Sequence, residues 1–244
     1  METGAGLVIV IPTYQECDAI PLLLVQLRAT LPNSYLLVVD DNSPDGTADR
    51  VAEAARTDAN IGLIVRQKKE GFGPACSEGL AAALLRSPSV IVQMDADGSH
   101  DPTEMVRLIA LILSGEADLV IGSRRVRGGR TVGWSRSRNI LSIFGSTYAR
   151  TLLHLRASDA TSGYRAWHPD LLRTLLRERP RADGYGFLIE MVWRAQQLGA
   201  RIADAPITFR ERTLGASKMS ARIAAEAALL VLKLRRSEFP VTRR

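Results

Sequence analysis

Two carboxylates separated by one small residue, Asp95-Ala96-Asp97, are the groups in this 244-residue chain best placed to do chemistry. They end an apolar run at 90–94 inside the stretch VIVQMDADGSHDP (90–102). A strand buried on both faces reads as such a run, and open α/β sheets bind ligands just past the carboxyl ends of their strands. In an extended chain residues i and i+2 point the same way, so the two acids could converge on one divalent cation. Hard oxygen ligands suit Mg2+ or Mn2+, and nothing in the stretch suits zinc. The same triplet also fits a solvated turn, and Ser99-His100-Asp101-Pro102 fits a helix start with Pro102 in the first turn. The elements around it must decide.

Those elements alternate. Residues 7–11 read as a buried first strand closed by Pro12. After the loop Thr13-Tyr14-Gln15-Glu16, Ile20, Leu23, Leu24, Leu27 and Leu31 follow helical spacing, with Asp18 as cap and Pro21 in the first turn. The unit repeats: strand 35–39, turn 40–46, helix 47–57, strand 61–65, a glycine-containing segment 68–73, an alanine-rich helix to Arg86, the acid-bearing strand, a helix at 103–113 and a strand at 119–121. Strands alternating with helices at this spacing predict an α/β fold with a mostly parallel, doubly wound sheet flanked by helices.

The second half differs. Between 124 and 138 stand six arginines (Arg124, Arg125, Arg127, Arg130, Arg136, Arg138) and no acid, interleaved with glycines, which reads as a mobile cationic loop. Helical patterns cover 139–155, 171–176 and 187–198, and 202–209 reads as one more strand. A final helix at 219–236 ends in Lys233, Arg235 and Arg236; it either packs on the domain or lies on an acidic membrane surface.

Composition narrows the function. A 46% hydrophobic content supports one large α/β domain, and a net charge of +6 admits nucleic acid, an anionic membrane or a polyphosphate substrate. With aromatics at 5% and the arginines clustered, a nucleic-acid binder is disfavoured. Cys17 and Cys76 lack a CxxC spacing, the first strand begins too early for a secretory leader, and no apolar run reaches the roughly 18 to 20 residues of a span. A cytoplasmic protein, at most peripheral on a membrane, is expected.

Five loops follow strands on one side of the sheet: 12–16, Asp40-Asp41, the Lys68-Lys69 glycine segment, Asp95-Ala96-Asp97 and Gly122-Ser123-Arg124. Acids there can hold a ribose, a base edge or a metal, and cations can hold a diphosphate. There is no G-x-G-x-x-G after the first strand and no phosphate loop of the G-x-x-x-x-G-K-[ST] kind. His100, His154 and His168 lack metal spacing and read as ordinary loop or helix residues. Glu190 reads as a structural pairing partner.

Several stretches resemble the dolichyl or polyprenyl phosphate mannose synthases, family 2 glycosyltransferases of the GT-A fold. They are IPTYQE (11–16), VVDDNSPDGT (38–47), KKEGFGPA (68–75), MDADGSHDP (94–102), GSR (122–124), Trp134-x-x-x-Arg138-x-x-x-Ser142, DATSGYRAW (159–167) and PITFRERTLGASKMS (206–220). The resemblance implies that Pro12, Tyr14, Glu16, Val39 and Asp41 contact a guanosine. It also places Asp95, Ala96 and Asp97 at the diphosphate, with the metal on Asp95, Asp97 and Ser99. Arg124, Arg212 and Lys218 would bind phosphates, and Arg138 the acceptor's phosphate. Asp97, Arg124 and Arg138 would carry catalysis. Gly98, Phe72 and Ser146-Thr147-Tyr148 depart from the family pattern.

The implied reaction is inverting transfer of mannose from GDP-mannose to a polyprenyl monophosphate, with Mg2+ or Mn2+ as cofactor. A single domain would comprise a nucleotide-sugar half (1–123) and an acceptor half (124–244). Such an enzyme would meet its acceptor on the cytoplasmic face of a membrane through the final helix and arginine loop, or through a separate anchoring subunit. The rival readings keep the fold with UDP-glucose or another donor, or with a soluble acceptor. The absence of Q-x-x-R-W argues against a processive polysaccharide synthase.

Overall fold

The computed structural model describes Gly4, residues 6–212 and residues 221–237. Its frame is a seven-stranded sheet, in the order β3-β2-β1-β4-β7-β5-β8. The strands are β1 (Leu7–Thr13), β2 (Tyr35–Asp40), β3 (Ile61–Val65), β4 (Val90–Gln93), β5 (Leu119–Ser123), β7 (Arg165–Trp167) and β8 (Ile202–Pro206). All pair in parallel except β7, which runs antiparallel between β4 and β5. A separate two-stranded ribbon joins β6 (Arg130–Val132) to β9 (Thr208–Arg210) in parallel.

Continuous apolar strands let the sheet feed two cores. Along β1, Val8 and Val10 face one core and Leu7, Ile9 and Ile11 the other. Helices α1 (Ile20–Thr30), α2 (Thr47–Thr57) and α4 (Met105–Leu113) lie on the latter side, as Ile20, Leu23, Leu24, Leu27, Val51, Leu108 and Ile112 show. The other side is covered by α3 (Phe72–Leu84), α5 (Arg136–Leu153), α6 (Pro169–Leu175), α7 (Gly186–Gln197) and α8 (Ala221–Arg235). Gly79 in α3 is required by space: a Cβ there would stand 2.6 Å from side-chain atoms of both Val10 and Val39.

Four expectations need correction. The segment 202–209 is two strands in different sheets: Ile207 donates its N–H to Ser123 O, the last bond to the large sheet, and its carbonyl accepts from Arg130 N–H at the start of the ribbon. The arginine segment is not one continuous loop, since it contains β6 and the start of α5. Residues 165–167, where the sequence pattern marks no strand, form the antiparallel strand β7. Asp18 does not cap α1, whose N-cap is Ala19 with no side-chain hydrogen bond. The helix start after the acids holds: Pro102 opens a short 3-10 turn, and Asp101 accepts from Thr103 N–H at 2.9 Å.

Glu190 is fully buried and bonded to Arg194 at 2.6 Å, while its other contacts are the N–H groups of Arg181 and Ala182. It closes the turn before α7, as a structural partner should. Among the described residues no helix is long and apolar enough to cross a membrane.

Candidate active site

At the carboxyl ends of β1, β2 and β4 lies one cleft, lined by Pro12, Tyr14, Glu16, Asp41, Lys69 and Asp95-Ala96-Asp97, with Arg212 and the segment 183–185 closing it. The loops that build it are tied to one another. Asp40 accepts from Thr13 Oγ1 (3.0 Å), Ser43 N–H (2.8 Å) and Ser43 Oγ (2.6 Å), locking the first loop to the second. Asp41 pairs with Arg66 and accepts from the N–H groups of Glu70 (3.1 Å) and Gly71 (2.8 Å), locking the second to the third. Glu16 donates its N–H to Thr47 Oγ1 at the start of α2 (3.0 Å), and Lys69 Nζ stands 3.6 Å from the centre of the Tyr14 ring.

The two central acids lie beyond β4, which ends at Gln93, so a turn with Gly98 at φ +73° and not strand geometry brings them together. Their surroundings divide them. Asp97 accepts from Ser99 N–H at 3.0 Å and pairs with Arg212 at 3.1 Å. Burial works to raise its carboxyl, but Ser99, Arg212 and His100 outweigh it and hold it below the ordinary value. Asp95 has no such help: burial, then the charge of Asp97, push it up to about 7. Its Oδ1 is buried with no hydrogen-bond partner among the described residues. Gly163 packs so closely that a Cβ there would lie 2.8 Å from that oxygen.

This donor set fits a hard divalent cation. An orphaned carboxylate oxygen beside an ionised carboxylate is what Mg2+ or Mn2+ satisfies, with remaining positions taken by water or substrate oxygens. Among the described residues no three His, Cys, Asp or Glu side chains form a metal cage.

His100 was read as an ordinary loop residue, but it supports the acids. It is buried between Tyr164 (4.7 Å, stacked) and Phe209 (5.3 Å, edge-on). Burial drops it to about 4, so it is neutral near pH 7 and its Nδ1 accepts the Asp95 N–H at 3.3 Å. No spacing signal in the sequence distinguishes it. The segment 183–185 was also missed. Tyr185 stacks on Phe72 with ring centres 5.2 Å apart, and Gly73 donates to Asp183 O at 2.9 Å. A Cβ at Gly73 would fall 2.2 Å from Ala182 O, so the glycines of the third loop exist to let this wall close.

Beyond the cleft, Arg124 is gripped by Asp159 through two bonds, Nε–Oδ2 at 2.6 Å and Nη2–Oδ1 at 2.7 Å, and by Thr161 Oγ1 at 2.9 Å. Burial would raise the Asp159 carboxyl, but the hydrogen bonds and charge of Arg124 hold it low. Arg138, in the first turn of α5, pairs with Glu211 at 2.9 Å and lies 4.4 Å from the Trp134 ring centre. Trp134 in turn meets Phe209 edge-on at 5.2 Å.

Of the residues singled out in the sequence, Pro12, Tyr14, Glu16, Asp41, Asp95, Ala96, Asp97 and Arg212 share the cleft, and Ser99 is buried beside Asp97. Val39 does not join them: its side chain packs against α3 in the core. Arg124 and Arg138 flank the cleft without lining it. Lys218 lies outside the described residues.

Known proteins agree with this architecture. The family model "Glycosyl transferase family 2" matches residues 8–176. An "Undecaprenyl-phosphate mannosyltransferase" of Micrococcus luteus is 46% identical, over 92% of this chain and 91% of that protein. A "Polyprenol monophosphomannose synthase" of Mycolicibacterium smegmatis is 42% identical, over 91% and 84%. In structure, glucosyl-3-phosphoglycerate synthase of Mycobacterium tuberculosis, solved with Mn2+, UDP-glucose and phosphoglyceric acid, superposes with a TM-score of 0.73 at 21% identity, covering 97% of this chain and 82% of that one. A mannosyltransferase of Pyrobaculum calidifontis, solved with GDP-Man and Mn2+, gives 0.62 at 18% identity, covering 96% and 65%. Both likenesses concern the fold, which is of the GT-A type.

Proposed function

The chain belongs to glycosyl transferase family 2, and we propose that it moves mannose from GDP-mannose to the phosphate of a polyprenyl monophosphate, with inversion at the sugar's anomeric carbon. The observation that carries this reading is the placement of Asp95, Asp97 and Arg212 in one cleft with Arg138 at its flank, in a chain closely similar to two lipid-phosphate mannosyl enzymes. The guanosine end of the donor takes the pocket of Pro12, Tyr14, Glu16 and Asp41, and Val39 meets it through backbone. The diphosphate lies at 95–97 with Arg212, Arg124 and Lys218. Residues 1–123 supply most of the donor pocket, which Arg212 and the segment 183–185 complete from the other half, while Arg138 in 124–244 takes the acceptor.

A bound Mg2+ or Mn2+, held by Asp95 and Asp97 with Ser99 nearby, would neutralise the diphosphate and polarise the departing bond. The rest falls to the chain. Arg138 brings in the acceptor phosphate, whose second pKa near 6 leaves it largely a dianion at neutral pH. One of its oxygens attacks the anomeric carbon from the face opposite the diphosphate. The carbon–oxygen bond to the diphosphate breaks, GDP leaves with the electron pair, and no catalytic base is needed. Arg212 and Arg124 balance the charge that collects on the leaving group.

The acceptor's lipid tail calls for a membrane surface, and α5 supports one. Ile140, Leu141 and Phe144 are more than 60% exposed, Ile143 is exposed beside them, and α5 contains no acidic residue. Leu229 and Leu232 on α8, which packs against α5, are exposed as well. We read the enzyme as peripheral on the cytoplasmic face of a membrane, directly or with an anchoring subunit, and without a nucleic-acid partner. The test offers GDP-mannose or UDP-glucose, each with polyprenyl phosphate or a soluble acceptor, and follows nucleoside diphosphate release. Release that requires GDP-mannose and the lipid phosphate together is expected; release with UDP-glucose or a soluble acceptor would favour the rival donor or acceptor.

A further inference from the structure

The chain crosses the mouth of the site just after β9, and two consecutive residues there pair with opposite charges on opposite sides. Arg212 reaches Asp97 in the cleft, whereas Glu211 reaches Arg138 at the start of α5. The crossing is fixed at both edges, because Arg210 donates its N–H to Ser99 O (3.0 Å) and Glu211 donates its own to Val132 O (2.8 Å). Close approach is also built in on the α5 side. A Cβ at Gly133 would fall 2.8 Å from Glu211 Cβ, and Gly133 has φ +89°, a conformation side chains rarely adopt. Trp134 then backs the Arg138 guanidinium from the other direction.

Resting on the reading of Arg138 as the seat of the acceptor phosphate, we propose that Glu211 is a positioning residue whose carboxylate holds that seat and yields it to the incoming phosphate. The pair is one-third to two-fifths exposed, with side-chain values of 33% for Arg138 and 42% for Glu211. Exposed pairs of this kind are weak and exchangeable, whereas arginine bonds a phosphate dianion more strongly and often through two parallel bonds. Glu211 therefore orients Arg138 when no acceptor is bound and loses the competition when one arrives. A displaced carboxylate left beside a dianion is repelled, so the Glu211 side chain swings towards solvent while its backbone stays held by Val132 O.

Trp134 reports on the exchange, because Trp167 and Trp193 are buried in the core and Trp134 stacks on Arg138. Tryptophan fluorescence of the full chain is titrated with a water-soluble short prenyl monophosphate. Glu211→Gln, isosteric but uncharged, is expected to bind about three- to tenfold tighter, the loss of an exposed pair plus the repulsion it leaves. Glu211→Asp should restore wild-type affinity. In turnover, Glu211→Gln should lower the acceptor KM without raising kcat. Arg138→Ala should abolish the fluorescence response. Glu211→Gln affinity equal to or weaker than wild type, with Arg138→Ala still losing the response, overturns the proposal alone. An Arg138→Ala titration that matches wild type removes the acceptor seat, and both readings fall.

Discussion

The cleft and the ribbon-and-helix region beside it hold their charges in different ways. In the cleft, carboxylates are buried and pinned by loops that follow neighbouring parallel strands: Asp40 by Thr13 and Ser43, Asp41 by Arg66 and two backbone N–H groups. Beside it, Arg138 stands partly exposed and is steadied by Glu211, 73 positions away in the chain. A buried set is preorganised and costly to disturb, as suits a polar donor carried in the same way each turnover. A partly exposed set held by weak pairs can exchange partners, as suits a lipid phosphate arriving from a surface.

Breaking the cleft should give the largest effect. Asp97→Asn removes the ionised partner of both Arg212 and the proposed metal, and should lower kcat by at least about 10³-fold with the far-ultraviolet spectrum unchanged. Near-normal turnover would remove Asp97 from the site. Asp159→Asn tests the buried Arg124 pair through stability: leaving that guanidinium unpaired should cost about 3–5 kcal/mol in denaturant unfolding. Asp159 is held low in the folded state, so its contribution is present above about pH 4, the unfolded carboxylate value, and is lost as pH falls through the lower folded value. The variant should lack that step in its acid unfolding curve, and an unchanged curve would contradict the assignment.

On the other side, effects should be smaller and selective. Arg138→Ala should raise the acceptor KM about tenfold or more while moving the GDP-mannose KM little, as expected for one lost charge-assisted contact. The reverse pattern in initial-rate kinetics would erase the contrast between the two regions. Smaller again, Phe144→Ser should weaken binding to anionic vesicles a few-fold in a flotation assay without altering stability, because Phe144 is 70% exposed. Unchanged flotation would locate the lipid contact elsewhere.

The same contrast governs what the sequence discloses. Strands β1 to β5 are legible because each is a largely apolar run bounded by turn residues, and the cleft residues follow from their ends. β7 is hidden because its three residues begin with Arg165, a fully buried cation whose bonds go to the Ala160 and Ser162 carbonyls. β6 is hidden among arginines and glycines, since only pairing with β9 orders it. His100, Tyr185 and Glu211 act through partners remote in sequence or through ring stacking, and neither leaves a local pattern. The break at Ile207 is a change of hydrogen-bond partner, from Ser123 in the large sheet to Arg130 in the ribbon, which periodicity cannot register.

The central claim is that one cleft, one metal pair of acids and one flanking arginine join mannose to a lipid phosphate. It is tested most directly by incubating the protein with labelled GDP-mannose, with and without polyprenyl phosphate and with and without chelator, and counting label in the solvent-extractable lipid. Label that appears in the lipid only with polyprenyl phosphate, and disappears with chelator, is the predicted result. Lipid free of label under all four conditions, with GDP released to a small soluble acceptor instead, would contradict it.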